Sequence, residues 1–269
     1  MTRIAVVTGA NQGIGRALVE DLATRWTADD LVLLTGRNPS RVAEAAAAVP
    51  GAARVEGRVL DVTDAAAIAD LAASLGAVDV VISNATMRIT PDRSQVEQAD
   101  EFIAVANHAT HAVLRSFAPV LRPGGRLIVV ASSLGRLRNL HPVLRPRFEQ
   151  ASLSDVEAVV AQWQAAIHDG TAQSQGWPEW INIPSKVAQV AAVRAVARDR
   201  RAEDLPADRL IASVCPGLVD TPTSRPWFDD FSRAKTPAQA AKDLLDFILA
   251  TPMDPAMYGE LVRDGEVLR

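Results

Sequence analysis

Tyrosine, cysteine and lysine are scarce in this 269-residue chain, which has one tyrosine (Tyr258), one cysteine (Cys215) and three lysines (Lys186, Lys235 and Lys242). A lone cysteine excludes an intrachain disulfide and suits a reducing cytoplasm. No apolar run is long enough to cross a bilayer, and the chain opens straight into a strand-like run. Neither a membrane span nor a secretory leader is therefore expected. The charges are interspersed and only slightly acidic in sum; the net of −4 gives no electrostatic footing for nucleic acid or an acidic membrane. His108 and His111 stand three apart with no carboxylate or cysteine at ligand spacing, so no metal site is expected. Aromatics are few, yet 48% of the residues are hydrophobic, enough for a sizeable aliphatic core.

What is present begins at the N-terminus. The β-branched run Ile4 to Val7 ends at Thr8 and gives way to Gly9, Asn11, Gln12, Gly13, Ile14 and Gly15. Ile14, Leu18 and Leu22 then repeat at helical spacing. Strand, glycine turn and helix in that order make a phosphate cradle, because glycines let the backbone approach a pyrophosphate and the helix start offers free N–H groups. A second strand, Asp30 to Arg37, ends where an adenine ribose would lie. An acid there would favour a 2′-hydroxyl; Arg37 favours a 2′-phosphate, hence NADP(H) over NAD.

Further strands are expected at Arg54 to Leu60, Val78 to Ser83, Arg126 to Ala131 and Leu210 to Val214, with a closing strand from Tyr258 to Val262. Asp64 reads as a helix cap. A long helix is expected over Gln95 to Val120, and Ser154 with Glu157 as a capping box for another. Asn182 reads as the N-cap of a helix carrying Pro184 and running to Arg198. Thr236-Pro237 opens the last one.

Thr-Gly-x-x-x-Gly-x-Gly at residues 8–15, Asn84-Ala85, Asn107, Ser132-Ser133, Lys186 and Pro216-Gly217 fall in one order. That order resembles the short-chain dehydrogenase/reductase family over essentially the whole chain. The insertion at about 136–180, closed by Gly176-Trp177-Pro178, is similar to the monomeric carbonyl reductase branch. The resemblance implies one Rossmann-like α/β domain over 1–269, a doubly wound parallel sheet of about seven strands in three α/β/α layers. It also implies a monomer, because the insertion covers a surface through which other members oligomerise. For the cofactor it implies Asp61 at the adenine, Val62 as a further contact, Asn84 and Ala85 along the wall, and Lys186 beside the nicotinamide. Pro216, Gly217, Val219 and Thr221 would lie near the carboxamide and phosphates. For catalysis it implies Ser133, with Ser132 as backup, Lys186, and Asn107 behind them holding a water chain.

One position departs. The family's Tyr-x-x-x-Lys motif ends on Lys186, but Asn182 stands at the tyrosine, and realignment finds no other phenol nearby. Asparagine has no proton to give in the accessible pH range. Losing a general acid costs about 10²–10⁴ in rate. His141 is a candidate replacement acid. Trp177, Trp180 and Trp227 are expected at the substrate mouth, with Phe228 and Phe231 in the flap. Three readings stay open: an NADPH-dependent reductase of a small-molecule ketone, a non-redox cyclase or dehydratase, and a silent NADP(H)-binding protein.

Overall fold

A computed structural model describes residues 2–269. Five strands of largely aliphatic sequence occupy the middle of one sheet: β1 (Ile4–Val7), β2 (Leu31–Gly36), β4 (Val78–Ser83), β5 (Leu121–Val130) and β6 (Leu210–Val214). β3 (Arg54–Val59) forms one edge, and β7 (Leu261–Arg263) with β8 (Glu266–Val267) the other. The order is β3-β2-β1-β4-β5-β6-β7-β8. The sheet therefore has eight strands rather than the expected seven. Seven run parallel, and β8 returns antiparallel on β7. Asp264 and Gly265 make that hairpin, both at positive φ, 51° and 77°, the backbone a two-residue hairpin requires. Tyr258 lies before β7, not in it.

The central strands are buried because helices cover both faces, which is why they read as continuous apolar runs. β2 is buried throughout, whereas β3 is mostly exposed. On β3, Glu56 pairs with Arg54 and Arg58, charges that discourage edge-to-edge pairing. The helices are α1 (Gly13–Arg25), α2 (Pro39–Ala47), α3 (Ala65–Leu75), α4 (Gln95–Ile103), α5 (Ala109–Phe117), α6 (Leu153–His168), α7 (Asn182–Asp204) and α8 (Pro237–Ile248). α1 packs on α8; α3, α5 and α7 pack in series.

Two local expectations hold: Asp64 caps α3 and Thr236 caps α8 through their side chains, and Asn38 caps α2 in the same way. Others shift. The capping box of α6 is Ser152 with Asp155, two residues earlier than expected, and Val156, Val159, Val160, Trp163 and Ile167 form its buried face. α7 runs on to Asp204. The helix expected over 95–120 is broken by a π-helical turn at Ala104–His108. Chain order reverses between β1 and β4, and the crevice where ligands of doubly wound sheets bind opens there, at the strands' C-terminal ends.

Candidate active site

The three glycines after β1 are required for different reasons. At Gly9 (φ 61°) an added Cβ would sit 2.7 Å from the Ala85 Cα; at Gly15 it would sit 2.6 Å from the Gly9 carbonyl oxygen. Those two allow close packing. At Gly13 (φ 58°) the nearest atom would be a Thr221 methyl at 3.9 Å. Gly13 therefore faces open space bounded by the segment after β6, the room a phosphate needs above a helix start. Gln12 ends the turn in extended conformation and makes no side-chain cap, so the first N–H groups of α1, from Gly13 and Ile14, remain for a ligand.

Thr8 holds the turn in place. Its hydroxyl accepts the N–H groups of Asn84 (2.9 Å) and Ala85 (3.0 Å). The Asn84 amide donates to the carbonyls of Thr8 (3.0 Å) and Gly9 (3.2 Å). Asn84 thus shapes the wall by spending its amide N–H groups on backbone. At the outer end, the Asn11 amide oxygen would lie 3.1 Å from a Cβ on Gly36. Next to it, Arg37 is 70% exposed and only loosely paired with Glu101, at 3.6 Å. Asp61 accepts the N–H and hydroxyl of Thr63, and these bonds, together with the Arg37 charge, hold its carboxyl below the usual range. Val62 is buried in the core beneath.

Across the crevice, Gly217 adopts φ 83° after Pro216, and Val219 pairs with Lys235 as an isolated bridge. The Ser224 hydroxyl donates to the Val219 carbonyl, and Thr221 and Ser224 form a tight turn through their hydroxyls.

The polar centre lies where β5 and α7 meet. Ser132 uses its hydroxyl to accept the Leu134 N–H. Ser133 uses only backbone groups, its N–H donating to Cys215 Sγ at 3.2 Å and its carbonyl accepting from Arg136 and Asn139. Ser133 rather than Ser132 therefore has its hydroxyl available. Gly135, two residues on, packs so closely on α7 that a Cβ would meet the Lys186 carbonyl at 2.8 Å. Lys186 is buried with no carboxylate on it. Its ammonium donates to Gln189 Oε1 at 2.7 Å and to the Val130 carbonyl at 3.3 Å. Burial pushes it down to about 8, against a small opposing effect from Cys215. Asn182 lies four residues before Lys186 on α7, hence on the same face. It is the first residue of the helix and caps nothing, since Ile181 holds the N-cap position. The expected capping role is thereby corrected.

Gln189 was not foreseen. Its amide donates to the Ala106 carbonyl (2.7 Å) and the Thr110 hydroxyl (3.0 Å) inside the π-turn region. Asn107, fully buried, bonds Ser185 at both ends of its amide, 3.0 and 2.7 Å. Its side chain ties α7 to the π-turn. The signal that could have found Gln189 is an amide three residues after the lysine, inside the apolar run Val187 to Val193.

Two other expectations change. His141 is exposed, and its ring accepts the Val143 N–H at the start of a 3₁₀ turn, a local capping role the sequence did not suggest. Trp177 is buried against Trp163 (5.9 Å) and Phe148 (6.4 Å) inside the insertion. Trp180 is half-buried. It stacks on Trp227 at 5.9 Å, and the Trp227 N–H donates to the Ile89 carbonyl after β4. Phe228 and Phe231 meet edge-on at 6.5 Å.

The short chain dehydrogenase family model matches residues 3–143. Among curated proteins, carbonyl reductase (NADPH) 3 of Mus musculus is 30% identical, covering 99% of this chain and 98% of its own length. Carbonyl reductase (NADPH) 1 of Rattus norvegicus is 28% identical, covering 98% and 97%. Among solved structures, salutaridine reductase from Papaver somniferum shares the fold with a TM-score of 0.81 at 21% identity, over 96% of this chain and 99% of that one. Menthone neomenthol reductase from Mentha piperita does so with 0.78 at 23%, over 99% and 100%. A glycine turn with room for a phosphate, a serine and a buried lysine at one sheet edge, and relatives matched end to end agree: the chain belongs to the short-chain dehydrogenase/reductase family, on its carbonyl reductase branch.

Proposed function

We propose that this protein binds NADP(H) and reduces the carbonyl of a moderately large apolar or aromatic ketone, using a site that lacks the usual phenol. The observation that carries this reading is the buried Lys186 ammonium, free of carboxylates, at the same sheet edge as the available Ser133 hydroxyl. A desolvated cation that is not ion-paired, lying near a free hydroxyl, is the kind of perturbed group that clusters at working sites. NADPH, when bound, supplies hydride to the carbonyl carbon.

The chain's own residues do the rest. Gly9, Asn11, Gln12, Gly13, Ile14 and Gly15 take the pyrophosphate at the start of α1. Arg37, exposed beside Asn11, holds the 2′-phosphate, and Asp61, Val62, Asn84 and Ala85 line the adenosine side. Pro216, Gly217, Val219 and Thr221 close over the other end. Ser133 donates a hydrogen bond to the carbonyl oxygen, and the Lys186 charge stabilises the alkoxide as it forms, an electrostatic effect strengthened by exclusion of water. Asn107, through Ser185, keeps Lys186 aimed from behind. Asn182, without an acidic proton, offers the oxygen a hydrogen bond only. The Trp180–Trp227 pair walls the mouth with aromatic surface, which favours a flat or apolar substrate.

This reading has the protein work as a cytoplasmic monomer. In support of a monomer, α6 packs over α4 and α7; for the location, no helix among the described residues is long and apolar enough to cross a membrane. The missing phenol favours a second reading, a non-redox enzyme in the same pocket.

The test is deuteride transfer from labelled NADPH to a panel of aryl and cyclic ketones. Stereospecific incorporation at the carbinol carbon is the expected result. Turnover that persists without cofactor points to the non-redox reading. NADPH binding without incorporation into any ketone sinks the reductase.

A further inference from the structure

Three carboxylates stand on α4, and each goes a different way. Glu97 closes the capping box with Ser94 at the start of the helix. Asp100 takes the Gln164 amide at 2.7 Å and lies 2.9 Å from a ring nitrogen of His168, both on α6. Glu101 is about 100° further round the helix, just before the buried Phe102 and Ile103. It meets the residue that ends β2: its Oε1 lies 3.6 Å from Nη1 of Arg37, its one charged partner among the described residues. That distance is too long for a hydrogen bond, and both side chains are mostly exposed, so the pair is easily parted. Arg37 also feels the charge of Asp61, but that carboxylate is spent on the N–H and hydroxyl of Thr63. Glu101 is the carboxylate left over.

The place of this contact gives it meaning. At the end of β2, doubly wound folds tell the two nicotinamide cofactors apart: a carboxylate there accepts the ribose 2′-hydroxyl, and an arginine takes a 2′-phosphate. Here β2 supplies the arginine, and α4 brings a carboxylate to that same arginine from a distant stretch of chain. Resting on the reading of Arg37 as the 2′-phosphate residue, we infer that Glu101 sets how strongly the protein prefers NADPH to NADH. It does so by holding Arg37 when no nucleotide is bound and competing with the phosphate for it. NADPH has to draw Arg37 away from Glu101 and bring a phosphate of about −1.5 to −2 charge up to a carboxylate. NADH does neither, since its 2′-hydroxyl carries no charge and leaves the pair intact. Because the pair is long and exposed, its cost to NADPH is small. Glu101 therefore tempers the preference that Arg37 creates without reversing it.

The test is a binding measurement and needs no turnover. NADPH and NADH are titrated calorimetrically into wild type, Glu101→Gln, Arg37→Ala and the double variant, at low and at high salt. Glutamine keeps the volume and the helix propensity of glutamate at an exposed position, and thermal melts confirm that the fold is kept. Glu101→Gln is expected to tighten NADPH about two- to fivefold, the range an exposed ion pair allows, and not to tighten NADH. The gain is expected to shrink as salt is raised, and to be mostly lost in the Arg37→Ala background. Equal changes for both cofactors, or no gain for NADPH, overturn the part given to Glu101 and leave NADP(H) binding intact. A gain as large without Arg37 as with it overturns the competition for that side chain. Arg37→Ala that weakens both cofactors alike sinks the phosphate reading of Arg37, and this inference with it.

Discussion

The hydroxyl of Tyr258 donates to Asp204 Oδ2 at 2.7 Å, and both residues are buried. The only phenol in the chain thus anchors the C-terminal end of α7, while Asn182 and Lys186 occupy its first turns. Asp204 is also paired with Arg200 and Arg209. Burial, and then the bond to Asp204, raise the phenol well above its ordinary value. The folded state therefore holds this proton more tightly than the unfolded state. The associated stability is present below about pH 10 and is lost as pH rises beyond it. Tyr258→Phe is expected to leave ketone reduction unchanged and to lower stability by about 1–2 kcal/mol, read by denaturant unfolding. Phenolate absorbance in the wild type should appear only as the protein unfolds in alkali.

Restoring the phenol is the complementary change. Asn182→Tyr places it one turn before Lys186, whose charge lowers its pKa. Ketone reduction is expected to rise at least tenfold, within the ~10²–10⁴ range of a general acid, with NADPH affinity little altered. A rate unchanged or lower in steady-state assays would show a pocket rebuilt for other chemistry.

Arg37 is exposed and its one ion pair is long, so it is free to meet a 2′-phosphate. Hydrogen bonds to charged groups contribute about 1.5–3 kcal/mol. Arg37→Ala should accordingly weaken NADPH about 10–150-fold in calorimetric titrations while leaving NADH nearly unaffected. Equal losses for both cofactors would remove Arg37 from the phosphate site.

The glycines separate packing from ligand contact. Gly13→Ala meets a positive φ but open space, so a loss of about 1–2 kcal/mol is expected in thermal melts, together with weaker NADPH binding. Gly9→Ala adds a collision with the Ala85 backbone. Its loss should exceed that of Gly13→Ala by roughly 1–3 kcal/mol. Melting points of the two variants, compared side by side, check the order.

His111 is 2% exposed, and neither ring nitrogen finds a hydrogen-bond partner among the described residues; Glu157 is 3.9 Å away. Burial pushes it down to about 4. The unfolded chain thus binds the proton first as pH falls below about 6.5. Stability should decline from there toward pH 4, by about 3 kcal/mol in all. His111→Leu is expected to flatten this slope in unfolding curves taken across the range.

The parallel core was legible because each central strand is an aliphatic run bounded by turn residues, and Asn38, Asp64 and Thr236 announce their helices by residue type. β8 escaped because it is two residues long, although Asp264-Gly265 carries the hairpin signal. The π-turn around Asn107 leaves no mark in a period of 3.6. Ser154 and Glu157 satisfied the same capping pattern as Ser152 and Asp155, and only packing selects between them. At the site, Lys186 stood out by rarity and spacing. Of the partners that hold it, Gln189 is one turn on along α7 and was within reach of the sequence, whereas only tertiary packing brings the Val130 carbonyl to the ammonium. Trp177 and Trp180 look alike in sequence, and the three-residue offset turns one inward to Trp163 and the other outward to Trp227.

Because Trp180 rests on Trp227, and Trp227 is in turn fastened to the carbonyl of Ile89, three distant stretches of chain share one aromatic contact. A guest molecule sliding between those indoles replaces a ring–ring neighbour with itself. The other tryptophans sit apart from that event, Trp26 under Arg3 and Trp163 with Trp177 in the interior. On the proposed placing of the mouth, this pair is an unlabelled fluorescent gauge of whether the doorway is filled.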